Sequence, residues 1–259
     1  EQFFRLLPAG TRLMAVIKSN AYGHGLVLVA KQLAESRIKN QVGAKFLDTD
    51  SLLLDSRLWF GVDSIVEALR LRREEIKNPI LVLGHTLPLR IIEAASHNII
   101  LTVSNFDALR ALAGAHPRPA FHLKIDTGMH RQGFLSHEIP KLIAALKRKK
   151  LIPIGIFTHF ASAKDPADTA YTLFQFRQLQ KIISSFRRSG FRRLVCHAAA
   201  SGSTLLFPEA HLDMVRVGMG LYGYWPSPES GSMKRELGIN LKPILAWKTI
   251  VAEVKEIPK

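Results

Sequence analysis

Acidic side chains are scarce in this chain: 21 Asp and Glu stand against 36 Lys and Arg, for a formal net charge of +15 over 259 residues. Cysteine is scarcer still, and the single Cys196 excludes an internal disulfide framework and fits a reducing compartment. No run of about 18 uncharged apolar residues occurs, so no membrane-spanning helix is expected. The opening Glu1-Gln-Phe-Phe-Arg precedes no small-residue cleavage pattern, so a secretory leader is not expected either, and the compartment implied is the cytoplasm. The positive excess raises a nucleic-acid binder as one reading. Its clusters (Arg70/Arg72/Arg73, Lys147 to Lys150, Arg187/Arg188, Arg192/Arg193) are scattered and fall near the ends of helical patterns, where the helix dipole favours cations. No nucleic-acid motif accompanies them, so only weak, salt-sensitive association with anionic polymers is expected.

What the chain does have is alternation. Short apolar runs beginning at Leu13, Phe60, Pro79, Ile99, Ala120, Pro153, Leu194 and Met214 read as strands, and helical spacing fills most of the gaps, as in Leu26 to Ser36, Ile65 to Arg73 and Thr172 to Ser189. Eight strands alternating with helices predict a parallel TIM-type (β/α)8 barrel over residues 1–232. Residues 37–60 are ambiguous: Gln41 to Asp48 and Ser51 to Asp55 each fit a strand or a helical piece. Pro226 to Gly238 reads as a linker. Lys242 to Ile257 then reads as the start of a β-rich module too short to form its own core, so residues 233–259 are expected to be a linker and the first strands of an incomplete C-terminal domain.

Four stretches carry chemistry. The first, Leu13-Met-Ala-Val-Ile-Lys18-Ser-Asn20-Ala-Tyr22-Gly23-His24-Gly25, is a buried strand that ends in a lysine and a glycine-punctuated loop. An amine held in a partly dry barrel mouth is a Schiff-base nucleophile. The competing reading is a strand-end lysine snorkelling to solvent. The second, Lys124-Ile-Asp126-Thr127-Gly128-Met129-His130-Arg131, sets two cations around Asp-Thr-Gly, unless Asp126 simply salt-bridges the strand end. The third ends a strand in His159, which on an apolar strand is otherwise a satisfied core residue. The fourth combines His197-Ala-Ala-Ala200-Ser201-Gly202-Ser203, small hydroxyl residues suited to a phosphate, with Val215-Arg216-Val-Gly218-Met219.

In order and content these stretches resemble the signatures of alanine racemases, enzymes that use pyridoxal 5'-phosphate (PLP) to interconvert L-alanine and D-alanine for peptidoglycan. The resemblance implies that Lys18 carries the cofactor as a Schiff base and acts as one of two bases. Tyr22, Ser201, Gly218 and Met219 then hold its phosphate, His159 lies by its ring, and Arg216 donates to the pyridine nitrogen. It further implies that Arg131 anchors the substrate carboxylate and that Lys124, commonly carbamylated in the family, supports it. No metal is implied. Ala200 departs from the family, which usually has asparagine there, so the resemblance implies one phosphate hydrogen bond fewer in this loop. The family is homodimeric, and its second base is a tyrosine of the partner's C-terminal domain; Tyr171, Tyr222 and Tyr224 do not stand in that motif, so activity of this chain alone is expected to be impaired. A single-barrel PLP-binding protein without racemase activity is the alternative, disfavoured by the Lys124/Arg131 pair.

Overall fold

The computed structural model describes residues 1–35, 56–165 and 169–258. Eight parallel strands close a barrel: β1 (Arg12–Val16), β2 (Leu58–Val62), β3 (Ile80–Val82), β4 (Ile100–Val103), β5 (Phe121–Asp126), β7 (Gly155–Phe157), β8 (Val195–His197) and β9 (Met214–Val217), with β9 paired to β1. A two-residue strand β6 (Phe134–Leu135) pairs with the end of β5 outside that ring. Helices α1 (Leu26–Glu35), α2 (Ile65–Arg73), α3 (Ile91–Ser96), α4 (Phe106–Gly114), α5 (Ile139–Lys149), α6 (Ala170–Arg188) and α7 (Ser201–Leu206) follow successive barrel strands. The expected barrel is therefore present. Gln41 to Asp48 and Ser51 to Asp55 lie outside the described residues.

Period two along each strand divides the core in two. Leu13, Ala15, Phe60, Leu123, Ile125, Ile156, Cys196 and Val215 face outward against the helices. Met14, Val16, Trp59, Leu81, Ile100, Val195 and Met214 fill the interior as a second cluster. Gly61 belongs to that interior, because a Cβ there would stand 2.8 Å from the Met14 sulfur.

Most element ends follow from local chemistry. β2 starts at Leu58, two residues before the expected Phe60, and stops at Val62 because Ser64 takes the N-cap of α2 and accepts from the Glu67 amide. The last barrel strand stops at Val217, and Met219–Tyr222 form a 3-10 turn instead of its continuation. The expected linker holds two short helices, Pro228–Ser232 and Lys234–Leu237, the first capped by Ser227. Residues 242–257 form no strand, and Trp247, Ile250, Val254 and Ile257 are exposed; no described sheet edge pairs with them. Three of the four basic clusters sit in the last turns of α2, α5 and α6, whereas Arg192 and Arg193 lie in the loop between α6 and β8. No helix among the described residues is long and apolar enough to cross a membrane.

Candidate functional site

Parallel barrels gather their functional side chains at the C-terminal ends of the strands. There the structure has an open cavity of about 920 Å³, lined by Lys18, Tyr22, Asp63, Lys124, Arg131, His159, Lys164, Ser201, Arg216, Gly218 and Met219 among others. Every site residue expected from the four sequence stretches lines it.

Lys18 is not the end of β1. It opens a tight turn after Ile17 in which Ser19, Asn20, Ala21 and Tyr22 all take left-handed backbone angles, φ 53° to 55°. Each such non-glycine residue costs about 1 kcal/mol, so the turn must be held from outside. The Glu67 carboxylate does this, accepting from the Asn20 amide at 3.0 Å and the Asp63 amide at 2.9 Å. The Asn20 side chain in turn accepts from the Leu26 amide at 3.0 Å, tying the turn to α1. The result brings the Lys18 ammonium to 3.9 Å from Asp63 at the cavity mouth, with 38% of its side chain still exposed.

On β5 the inward positions are His122, Lys124 and Asp126. Asp126 does not bridge the cations; its Oδ1 accepts from the Gly128 and His130 amides at 2.9 and 3.0 Å and shapes the following loop. Lys124 donates to Gln132 Oε1 at 3.0 Å and lies over the Phe157 ring. Burial first, then the nearby Arg131 and Arg216 charges, push its amine down to about 8. Arg131 is exposed on the cavity wall, and no direct bond joins it to Lys124.

Arg216 lies at the centre of the polar interior, 4% exposed and with no carboxylate partner among the described residues. Its Nη2 donates to the carbonyls of Thr158 at 2.7 Å and Ala198 at 2.8 Å and approaches His159 Nδ1 at 3.4 Å. Its Nη1 donates to His197 Nδ1 at 2.8 Å. Because a guanidinium only donates, neutral His197 must carry its proton on Nε2, which donates to His122 Nδ1 at 2.8 Å. Both tautomers are thereby fixed, and the His122 Nε2 proton is left without an acceptor. Burial, then the Arg216 charge, holds His122 and His159 down at about 3 and His197 well below its ordinary value. Phe157 stacks flat on His197, ring centres 4.6 Å apart. Desolvation alone pulls Arg216 down to about 9.

Sequence reading missed the structural role of His197 and all of His122 and Glu67. For the histidines a signal existed: His122 lies two residues before Lys124, on the same strand face, and strand period two places both inside. Gly155 confirms the fit, since a Cβ there would meet the His122 ring at 2.4 Å.

At the opposite wall, Ser201 Oγ accepts from the Gly218 and Gly220 amides at 3.0 and 3.2 Å. The Gly218 amide is thus taken by Ser201 rather than left free for an anion, and the Ser201 proton remains to donate. A Cβ at Gly218 would stand 2.9 Å from the Tyr22 hydroxyl, and one at Gly202 would stand 2.8 Å from the Ala163 carbonyl. Burial, then Asp63, raises the Tyr22 phenol, keeping it a donor. These glycine-floored, donor-lined walls fit a phosphate, and the Arg216 Nε, which has no acceptor among the described residues, fits a ring nitrogen. Among the described residues no group of three or more side chains could hold a metal ion.

Closed parallel barrel, cation-lined mouth and buried guanidinium together define a TIM-type (β/α)8 barrel with a cavity built for an anionic ligand at the strand ends. The chain belongs to the family of alanine racemase N-terminal domains, which matches residues 2–48 and 51–226. It is 35% identical over its whole length to the alanine racemase of Leptospira interrogans and 38% identical, over 95% of the chain, to that of Desulfosudis oleivorans. It spans 63% and 61% of those relatives, about three fifths of their length. The alanine racemase structures from Clostridium difficile 630 and from Bacillus anthracis with bound L-Ala-P each match 93% of the chain with a TM-score of 0.77, at 28% and 30% identity. This chain covers 58% of each.

Proposed function

We infer that this barrel binds PLP through Lys18 and serves an alanine racemase that interconverts L-alanine and D-alanine. The observation that carries this is convergence: four stretches far apart in sequence line one cavity, with Lys18, the Lys124/Arg131 pair, the His159/Arg216 pair and the Ser201/Gly218 wall all on it. When bound, PLP supplies an electrophilic aldehyde and a conjugated ring that accepts an electron pair from the substrate Cα.

The residues divide the remaining work. Lys18, beside Asp63, is the amine that holds the aldehyde and then moves a proton at Cα. Arg131 presents a planar fork to the substrate carboxylate. Lys124, its amine lowered to about 8, is neutral in roughly a tenth of molecules at pH 7, the form that takes up carbon dioxide. The carbamate so formed turns repulsion from Arg131 into attraction. Arg216, held as a cation by carbonyls and a neutral imidazole, resists protonation of the ring nitrogen. That favours brief proton removal and return over reactions needing a long-lived carbanion. Inversion at Cα needs a base on each face, so a second one must face Lys18, and the same reading carries a homodimeric, cytoplasmic enzyme.

Borohydride reduction followed by peptide mass spectrometry tests the reading. The expected result is one pyridoxyl group, on Lys18, lost in Lys18→Ala together with the visible absorbance. An unlabelled Lys18, or a label on another lysine, would overturn it.

A further inference from the structure

Resting on the reading that Lys18 holds PLP, the cavity contains a cation with no assigned task. Lys164 lines it beside Ala163, Gly202 and Ser203, at the end where the phosphate would lie. Its place is set by close packing. A Cβ at Gly202 would come within 3.1 Å of the Lys164 Cα and 3.2 Å of its Cβ, so the loop after β7 lies directly on the first turn of α7. Ser227 Oγ donates to the Lys164 carbonyl at 2.8 Å, and the Lys164 amide to the Ser162 carbonyl at 2.7 Å, which fix the backbone on both sides.

A phosphate ester at neutral pH carries between one and two negative charges. The donors around it are otherwise neutral. Ser203 Oγ accepts from the Ala200 amide at 2.8 Å and donates to the Ala200 carbonyl at 3.3 Å, and Thr204 Oγ1 donates to the same carbonyl at 2.7 Å. Position 200 is alanine and offers no side-chain donor, so the hydroxyls left are those of Ser201 and Tyr22. Of the other cavity cations, Lys18 sits by Asp63, Lys124 is bonded to Gln132 and both terminal nitrogens of Arg216 are bonded to groups of the barrel interior, while exposed Arg131 is the one assigned above to the substrate carboxylate. We propose that Lys164 is a further cofactor-binding residue, its ammonium meeting the phosphate and replacing the neutral donor that Ala200 lacks. A flexible four-carbon stem suits this, because a point charge needs no bidentate geometry.

The test is a spectral titration of apoprotein with PLP and, separately, with pyridoxal, which has the same aldehyde and ring but no phosphate. Lys164→Gln is expected to weaken PLP about 5- to 10-fold, the size of one partly exposed charge-assisted bond, and to change pyridoxal less than about twofold. Lys164→Arg is expected to restore most of the loss, and the 31P resonance of bound PLP to shift in Lys164→Gln. Equal PLP affinity in wild type and Lys164→Gln, or an equal loss for pyridoxal, would overturn the proposal while leaving Lys18 in its role. Failure of the wild-type protein to take up PLP would overturn both.

Discussion

His197 makes a quantitative test of the barrel interior. Replacing it by leucine keeps apolar bulk against Phe157 but removes two bonds at once. Arg216 Nη1 loses its acceptor at 2.8 Å, and His122 Nδ1 loses its donor at 2.8 Å, both in a dry interior. The first is a hydrogen bond to a charged group, about 1.5 to 3 kcal/mol, and the second strands a neutral buried acceptor, about 1 to 3 kcal/mol, so His197→Leu should cost about 3 to 5 kcal/mol. For a domain of this size that corresponds to a fall in melting temperature of roughly 6 to 20 °C. His197→Gln offers an amide oxygen to Arg216 and an amide N–H to His122, and should lose less than half as much. In a His122→Phe background the leucine change should cost about 1 to 3 kcal/mol less, because no acceptor is then stranded. Urea unfolding followed by circular dichroism reads all of these. A loss below about 1 kcal/mol for His197→Leu, or glutamine no better than leucine, would show that the Arg216–His197–His122 chain does not support the barrel as described.

The same histidines predict acid sensitivity. His122 and His197 are held below the ordinary value when folded, so the unfolded chain binds more protons below about pH 6.5 and stability must fall as pH drops through that value. Between pH 6.5 and 5 the two should forfeit about 3 kcal/mol together, and a urea midpoint unchanged across that range would contradict the assignment. Glu67→Ala releases the Asn20 and Asp63 amides and should raise hydrogen exchange across residues 18–24, with about 2 kcal/mol lost locally and less globally; unaltered exchange there would mean that the left-handed turn is held by something else. Cys196 is buried under the helices, its thiol pushed up to about 12 by burial and then by Asp213. A thiol reagent should label it at the rate of global unfolding, and rapid labelling of the native protein would count against this packing of β8.

Residue patterns alone determined the barrel and the membership of its cavity. Runs such as Pro79 to Gly84 and Ile99 to Ser104 are apolar because strands covered on both faces must be, and the lysine, arginine and serine stretches are local signatures whose residue types survive in one dimension. Composition marked 226–238 as a connection but not the two short helices that the Ser227 cap starts within it, and 242–257 stays unpaired among the described residues because an alternating pattern becomes a strand only where an edge is available. Only the closed barrel decided which distant groups meet: Glu67 reaching back across 47 positions to hold the Lys18 turn, Asp126 bound to amides rather than to its neighbouring cations, and His122 set against His197 from 75 residues away. Hydrogen bonds of that kind are fixed by register and burial, properties of the closed sheet that no single stretch of sequence contains.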